Sequence, residues 1–312
     1  MQRGLSGRGA VGFRHEAVFY RGLDDLVTKT VPFIVEGLER GEPVLVAVLP
    51  DRIRRLRSAL GRDADRVAFL DMGWVGRNPA RIMPVWRRFV GDRVKGTPAR
   101  GIGEPVWAGR AEVEIEECRL HEALLNVAFA EGPSWWLVCP YDVSALPPSV
   151  IEDARWSHPV PGSRGVEDVL CATHRDARDI FSPPLPPVPR RAREIRFDRD
   201  LTALRRVVRT WALGAGLSHR RSADLALAVN ELASDSVLDR DGEGVLRAWS
   251  EPGSFIVELT DIGRVDDPLV GRGLGPEATG KGRGVWIANQ LCDLVQVRSF
   301  ETGTVVRIHS RL

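Results

Sequence analysis

The hydrophobic pattern of residues 13–181 alternates between short apolar runs and longer stretches with helical spacing. Apolar residues between Leu26 and Leu38 recur every three or four positions, which predicts a helix that Gly41 ends. The continuous apolar run 44–49 is typical of a buried parallel strand. By the same reading we predict further strands at 67–72, 101–107 and 135–141, and helices at 52–60, 79–94 and 114–130. Strands separated by helices predict a right-handed parallel α/β domain, with ligands beyond the carboxyl ends of the strands.

The pattern of residues 195–312 has a different order, because two helices come before any strand. Ser218 is a plausible N-cap of the second helix. The predicted helices are 201–213, 218–238 and 284–291, and the predicted strands are 244–250, 255–261, 294–299 and 304–309. This order predicts an α+β domain with helices on one face of a mostly antiparallel sheet.

A proline run separates these two patterns. Five of the eight residues 182–189 are proline, which favours a semi-rigid extended linker. We therefore predict domains at 13–181 and 195–312, joined by a linker at 182–194. The four arginines that follow the prolines, at positions 190, 191, 193 and 196, form either a solvated segment or a contact face for a partner.

Composition narrows the classes of function. Lys and Arg total 44 against 42 for Asp and Glu, so the charge favours neither direct nucleic-acid binding nor an acidic membrane surface. No apolar run is long enough to span a membrane, and residues 1–12 lack the apolar core of a signal peptide. The four cysteines form no CxxC pair, which argues against zinc and against a disulfide framework. We expect a cytoplasmic protein.

Two acidic residues lie one turn apart on the second C-terminal helix. Glu231 and Asp235 are four positions apart and share one helix face, where they repel each other unless a cation intervenes. A Mg²⁺ ion with nucleotide phosphates is a suitable mediator, because Mg²⁺ takes oxygen ligands and keeps water and phosphate in its shell. The alternative is an exposed acidic face without a ligand.

Two further clusters follow in the chain. Asp261 ends an apolar strand, where its carboxylate can accept a hydrogen bond from a ligand amine, and Gly263 allows a close approach. The glycine-rich segment 271–284 leads into a helix, whose N-terminus is an anion site. The segment fits neither the P-loop nor the Rossmann motif. A flexible loop is its simpler interpretation, but the order of the three clusters is more specific than any one of them.

Together these clusters resemble the motifs of the GHKL (Bergerat) ATPase fold, an α/β sandwich, in its anti-sigma-factor serine/threonine-protein-kinase branch. Val229–Val237 resembles the N box of that family, Asp261–Gly263 its G1 box and Gly280–Trp286 its G2 box. The resemblance covers residues 195–312. Since no phospho-acceptor histidine box precedes the motifs, a histidine kinase is disfavoured, and the small size disfavours gyrase-like or Hsp90-like machines.

The resemblance implies an ATP·Mg²⁺ site. Glu231 would be the general base that activates a substrate hydroxyl, Asp235 would lie at the Mg²⁺-binding position, and Asp261 would hold the adenine amino group. The segment 271–284 would form a lid over the phosphates. The residues implied in nucleotide binding are Asp261, Gly263, Gly280, Lys281, Gly282, Arg283 and Gly284.

Two residues depart from the family pattern. The family has asparagine at the position of Asp235, and Val265 replaces the second glycine of the G1 box. The first change adds negative charge beside a polyphosphate, and the second makes the loop next to the adenine less free. Both favour weaker nucleotide binding and slower kinase turnover.

Residues 13–175 resemble the MEDS sensory domain of methanogen and methylotroph regulators, which implies a RecA/KaiC-like α/β fold without a P-loop. The matching segments are His15–Tyr20, Gly41–Ala47, Gly103–Trp107 and Cys139–Asp142. Among them, His15, Glu104, Trp107 and Tyr141 fall near strand ends or loops, where they either line a small-molecule site or serve the structure. The pair Glu117 and His121 has spacing suited to a metal, but no third ligand is recognisable.

These observations lead to one main hypothesis. A sensory domain controls an ATP-binding anti-sigma module, which sequesters a sigma factor or phosphorylates a Ser or Thr of an anti-sigma antagonist. The alternative is a pseudokinase docking module switched by an N-terminal small-molecule ligand. An N-terminal metabolic enzyme is disfavoured, because no nucleophile–base pair is apparent. We expect neither direct nucleic-acid binding nor membrane contact, and a homodimer stays open.

Overall fold

The computed structural model describes residues 12–91, 97–158, 183–198, 200–240, 243–273 and 282–312, with the side chains of 238–240 left aside. The chain divides into two compact units, Met1–Asp176 and Ala177–Leu312. No helix in the described ranges combines the length and the apolar character that a membrane crossing requires.

The N-terminal unit is built on a five-stranded sheet whose paired strands are all parallel, in the order β1-β5-β4-β2-β3. Its strands are β1 Phe13–Tyr20, β2 Val44–Val48, β3 Ala68–Asp71, β4 Ala99–Gly103 and β5 Trp135–Asp142. Its helices are α1 Gly22–Glu39, α2 Pro50–Leu60, α3 Met72–Val75, α4 Ile82–Gly91, α5 Glu112–Ala128 and α6 Pro148–Ser157, with 3₁₀ turns at Gly61–Arg66 and Pro79–Arg81. The predicted parallel α/β class is confirmed.

The order of the strands creates a switch point between β2 and β4. From β2 the chain moves outward to β3, and from β4 it moves the other way to β5. Ligands of open α/β sheets bind at the carboxyl ends of such neighbouring strands. The strand predicted at 101–107 lies at Ala99–Gly103, so Glu104 is the first residue past this edge and not part of the strand.

The C-terminal unit is an antiparallel sheet of five strands in the order β6-β7-β8-β10-β9, which confirms the predicted α+β class. Its strands are β6 Arg193–Phe197, β7 Gly244–Glu251, β8 Ser254–Asp261, β9 Leu294–Phe300 and β10 Gly303–Arg311. Its helices are α7 Leu201–Gly214, α8 His219–Arg240 and α9 Arg283–Leu291. One core joins helices and sheet, with Val208, Val229 and Ala288 packed in the same cluster as Leu246 and Val257.

The start of this unit differs from the sequence prediction. Strand β6 precedes the two helices and pairs antiparallel with β7, from Arg193 opposite Ala248 to Phe197 opposite Gly244. The last two residues of the predicted linker, Arg193 and Glu194, therefore belong to the sheet. The predicted N-cap of α8 is confirmed, because the Ser218 hydroxyl accepts a hydrogen bond from the backbone N–H of Arg221 at 3.3 Å.

Candidate functional site

Asp261 is the last residue of β8, and two hydrogen bonds fix its carboxylate. Oδ1 accepts from the backbone N–H of Gly263 at 2.7 Å, and Oδ2 accepts from the hydroxyl of Ser236 on α8. A carboxylate has about four lone-pair sites, so acceptor capacity remains for a third donor. The end of β8 and the middle of α8 thus meet at one oriented acid.

Asp235 is the neighbour of Ser236, and it contacts a different element. Its Oδ2 accepts a hydrogen bond from the backbone N–H of Gly284 at 3.0 Å, in the first turn of α9. A Cβ on Gly284 would lie 2.7 Å from that same oxygen and 2.8 Å from the carbonyl oxygen of Glu231. Only glycine therefore lets α9 approach α8 so closely, and a carboxylate occupies a helix end that favours negative charge.

The glycine-rich segment begins and ends at this same place. Gly271 and Gly282 both have positive φ, at +68° and +103°, and a Cβ on Gly282 would lie 3.7 Å from the backbone nitrogen of Gly271. The side-chain amide of Asn289 donates to the carbonyl oxygen of Gly271 at 3.1 Å, which ties the first end to α9. The predicted binding residues Gly280 and Lys281 lie outside the described residues.

Hydroxyl groups of β9 and β10 hold the loop that follows Asp261. The Thr304 hydroxyl donates to the carbonyl oxygen of Gly263 at 2.6 Å, and the Ser299 hydroxyl accepts from the backbone N–H of Val265 at 2.9 Å. Val265 also packs against the hydrophobic core. At this position, where the family has glycine, the side chain is used for packing.

A cavity of about 240 Å³ opens between α8, the end of β8, β10 and the start of α9. Leu232, Leu259, Val270, Val285 and Val306 form its apolar walls, and Asp235, Asp261 and Thr304 supply polar groups. Among the predicted residues, Gly263 and Gly282 also line it, whereas Glu231, Arg283 and Gly284 do not. The cavity is apolar with a few convergent polar groups, which is typical of small-molecule sites.

The two acids of α8 differ in their surroundings. Glu231 is half-buried, and its Oε1 accepts from the side-chain amide of Asn230 at 3.4 Å. In the part of the chain that the structure describes, Glu231, Asp235 and Asp261 do not form a set of three metal ligands. Among these three described carboxylates, one or two could therefore reach the same Mg²⁺, which suits an ion that keeps waters and binds phosphates.

Three residues of this site were missed by sequence reasoning. Ser236 and Thr304 orient Asp261 and its loop, and Gly303 has a positive φ and a Cβ position 2.0 Å from the Asp261 carbonyl oxygen. Ser236 follows Asp235 directly in the sequence, so its place in the motif was the available signal. Thr304 and Gly303 carried no such signal, because their role depends on the pairing of β10 with β8.

In the N-terminal unit, Glu104 lies at the switch point and is almost fully buried, with 1% of its surface exposed. It accepts hydrogen bonds from Arg52 Nε at 2.6 Å, the Tyr20 hydroxyl at 3.0 Å and the backbone N–H of Leu49 at 3.3 Å. Burial raises the pKa of Glu104 to about 7, although these donors and the Arg52 charge oppose the shift. A carboxyl group with a pKa close to neutral thus lies at the edge of the sheet where ligands of open α/β folds bind.

The four residues expected to share an N-terminal site do not converge on one point. His15 and Tyr141 belong to a buried cluster around Glu122, away from the three partners of Glu104. Trp107 is half-buried and stacks against the guanidinium of Arg110, with 3.7 Å between that group and the ring centroid. Glu117 and His121 are both buried on α5, and the described residues supply no third ligand to this pair.

Comparisons with curated proteins and solved structures give a similarity over part of the chain. No curated protein matches the chain. Among solved structures, the chain is similar to the RsbU and RsbW domains of a protein from Mycobacterium tuberculosis, with 18% identity and a TM-score of 0.29. That similarity covers 40% of this chain, which spans about a third of the other chain (33%).

Two family models match consecutive parts of the chain. Residues 14–159 match the MEDS model, described as the methanogen/methylotroph, DcmR sensory domain. Residues 197–309 match the model of the histidine kinase-like ATPase domain, and this range contains the cavity and all of the acids around it. The chain therefore combines a MEDS sensory domain with a histidine kinase-like ATPase domain.

Proposed function

We propose that this chain is an anti-sigma regulator whose MEDS domain controls an ATP-binding module. The observation that carries the proposal is the cavity at Asp261, where an oriented carboxylate faces apolar walls beside the N-terminus of α9. An adenine ring presents apolar faces and an amino donor at its edge, and a triphosphate carries the negative charge that a helix N-terminus attracts. Shape and charge thus agree with the nucleotide of the matched ATPase family.

The residues around the cavity suit this ligand. Asp261 keeps acceptor capacity for an adenine amino group after its bonds to Ser236 and Gly263, and these bonds hold it in one orientation. Asp235 would bind Mg²⁺ as one of few protein ligands, with water and phosphate oxygens as the others. ATP would supply the phosphoryl group and, through its phosphates, most of the charge that the ion neutralises.

Glu231 would act on the substrate of a phosphotransfer. It lies one helical turn before Asp235 on α8, so a hydroxyl placed beside the phosphates is within reach of the same helix face. Its carboxylate would accept the proton of a Ser or Thr hydroxyl on an anti-sigma antagonist. Kinases of this kind work mainly by positioning and charge neutralisation, and the base orients and activates the nucleophile.

A docking module with little or no turnover is the second candidate, and two observations favour it. The Asp235 carboxylate occupies the backbone N–H of Gly284, where a phosphate oxygen would bind, and Val265 packs in the core where the family has a flexible glycine. In this case the module would hold a sigma factor away from its polymerase, and a ligand of the N-terminal domain would switch it.

Calorimetric titration of ATP and Mg²⁺ into the intact chain tests the adenine site. Asp261→Asn should weaken binding by about 1–3 kcal/mol, or about 5- to 150-fold, because a donor loses its charged acceptor. Asp224→Asn is the control, since Asp224 is a carboxylate of the same domain, on α8, and does not line the cavity. Equal affinity of Asp261→Asn and wild type would refute the assignment of Asp261.

Transfer of radiolabelled phosphate from ATP to anti-sigma antagonists separates the two candidates. If the chain is a kinase, Glu231→Gln should slow transfer by about 10²–10⁴-fold while ATP binding stays nearly unchanged. Wild-type protein that binds ATP and transfers no phosphate would favour the docking module. A Glu231→Gln variant that transfers phosphate at the wild-type rate would show that Glu231 is not the base.

A further inference from the structure

Four buried side chains in the MEDS domain direct their polar atoms at one point. His15 on β1, Glu122 on α5, Cys139 on β5 and His158 after α6 each offer an atom, and these four atoms lie within 4.8 Å of one another. No more than 6% of any of the four residues is exposed. They come from distant parts of the sequence, so only the fold brings them together.

The amide of Asn126 fixes the tautomer of His15. The side-chain N–H of Asn126 donates to the carbonyl oxygen of Ser157 at 3.0 Å, which leaves the amide oxygen facing His15 Nδ1 at 3.1 Å. Because an amide oxygen can only accept, Nδ1 of His15 carries the proton. The neutral ring therefore presents an unprotonated Nε2 to the cluster.

A backbone carbonyl fixes His158 in the same way. Its Nδ1 lies 2.7 Å from the carbonyl oxygen of Ala154, which is again an acceptor only, so this nitrogen also carries the proton. Second-layer acceptors of this kind are common behind the histidines of metal sites, where they orient the ring and raise its basicity.

With both Nδ1 atoms protonated, the two neutral rings direct unprotonated Nε2 atoms at Glu122, whose nearby donors are the Cys139 thiol and the Tyr141 hydroxyl. Nε2 of His158 lies 2.8 Å from Glu122 Oε2, and Nε2 of His15 lies 3.3 Å from the same oxygen. Cys139 Sγ lies 3.3 Å from His15 Nε2 and 3.8 Å from Glu122 Oε1, and its thiol carries one hydrogen. Two ring lone pairs and a carboxylate at these distances repel each other, so a positive charge among them would be strongly stabilised.

The set of atoms suits a divalent metal. Two imidazole nitrogens, a thiolate and a carboxylate are a complete set for tetrahedral zinc, with bonds of about 2.0–2.3 Å. Such bonds separate the ligand atoms by about 3.3–3.6 Å. The shortest contact in the cluster is 2.8 Å and all four atoms lie within 4.8 Å of one another, so small side-chain shifts would close them around one ion. A single ion would satisfy all four groups, whereas a proton on one ring would satisfy only one ion pair.

We infer that His15, Glu122, Cys139 and His158 bind one zinc ion in the interior of the MEDS domain. With four protein ligands and no exposed face, the site has the closed form of a structural zinc centre. The ion would join β1, β5 and α5 to the residue after α6. Binding would release the thiol proton of Cys139, and affinity would fall at low pH because the ligands must be deprotonated.

The test measures metal on the intact chain, purified without a metal-chelating resin. Mass spectrometry should find about one zinc per chain, and replacement of zinc by Co²⁺ should give the absorption band of a thiolate–cobalt bond. Cys139→Ala should lose this band. Cys118→Ala is the matched control and should keep it, because Cys118 is an equally buried cysteine that donates to the Pro105 carbonyl outside the cluster.

Substitution of Asn126, which contacts the ligand His15 but does not itself bind the metal, gives a second test that leaves all four ligands in place. Asn126→Ala should weaken metal affinity about 10–100-fold, and Asn126→Asp, which still accepts from His15, should restore most of it. Wild-type protein that neither contains nor takes up metal would overturn the inference in favour of a protonated histidine paired with Glu122. Bound metal without the thiolate band, or unchanged binding in Cys139→Ala, would overturn it equally.

Discussion

Replacing Asp235 by asparagine tests how a negative charge at the N-terminus of α9 affects nucleotide binding and stability. The carboxylate of Asp235 accepts the backbone N–H of Gly284 at 3.0 Å, and it lines the cavity proposed to hold nucleotide. Asparagine has nearly the same shape and keeps an oxygen acceptor. The substitution therefore removes one charge and leaves the hydrogen bond in place.

The removal of this charge has two opposite effects. Without nucleotide, the chain should lose about 0.3–1 kcal/mol of stability, because a carboxylate near a helix N-terminus interacts favourably with the helix dipole. With nucleotide, a phosphate charge about 6 Å away no longer meets a like charge, which is worth about 0.7–2.8 kcal/mol for effective dielectric constants between 80 and 20. Binding of ATP in chelator should thus become about 3- to 100-fold tighter in Asp235→Asn.

The assay is titration of ATP into wild type and Asp235→Asn, at low salt, once with Mg²⁺ and once with chelator. Mg²⁺ offsets the repulsion, so the two proteins should differ much less when the ion is present. Asp224→Asn removes a carboxylate from the same helix, at a position paired with Arg220, and should change neither affinity. Identical affinities of wild type and Asp235→Asn under both conditions would place Asp235 outside the nucleotide site.

Two further substitutions test a turn and a buried acid. Gly303→Ala should destabilise the ATPase domain by about 2–4 kcal/mol in thermal unfolding, because its Cβ would lie 2.0 Å from the Asp261 carbonyl oxygen at a φ of +142°. Gly253 also has a positive φ, but a Cβ there would meet open space, so Gly253→Ala should cost only about 1 kcal/mol of stability. Equal losses of stability in the two variants would contradict this reasoning. Burial raises the pKa of Glu104 from 4.5 to about 7, so the folded state keeps a proton that the unfolded chain releases. The free energy of unfolding of wild type should therefore fall by about 3 kcal/mol relative to that of Glu104→Gln as pH rises from 4.5 to 7, with no further change above pH 7. A pH-independent difference between the two proteins in denaturant unfolding would refute the raised pKa of Glu104.

The strands that sequence reasoning found and missed differ in how many charged residues interrupt their apolar runs. The apolar run 44–49 was found because β2 is a central strand, buried on both faces. The edge strands β3 and β9 were also found, as apolar runs at 67–72 and 294–299, whereas the edge strands β1 and β6 were missed. Both contain arginine and glutamate among their apolar residues, since an edge strand is not covered on all sides.

The two candidate sites differ in how far the sequence alone can reveal them. Glu231, Asp235 and Asp261 could be predicted as candidates because their motifs are short and ordered along the chain, and Asp235 and Asp261 line one cavity. The cluster of His15, Glu122, Cys139 and His158 was missed. The cysteines form no CxxC pair, and this pattern argued against zinc. No spacing rule relates residues that come from two strands, a helix and a helix end, so only the folded packing reveals them.

The contacts at both ends of the glycine-rich segment affect how well the domain tolerates a longer segment. Gly271 and Gly282 meet beside α9, and Asn289 secures the first of them, so contacts of described residues hold the two ends of the segment close together. The entropy of closing a loop grows only with the logarithm of its length, and doubling the length costs about 0.6 kcal/mol. The segment is therefore a natural insertion point, where a peptide tag or a binding epitope can be added with little loss of stability.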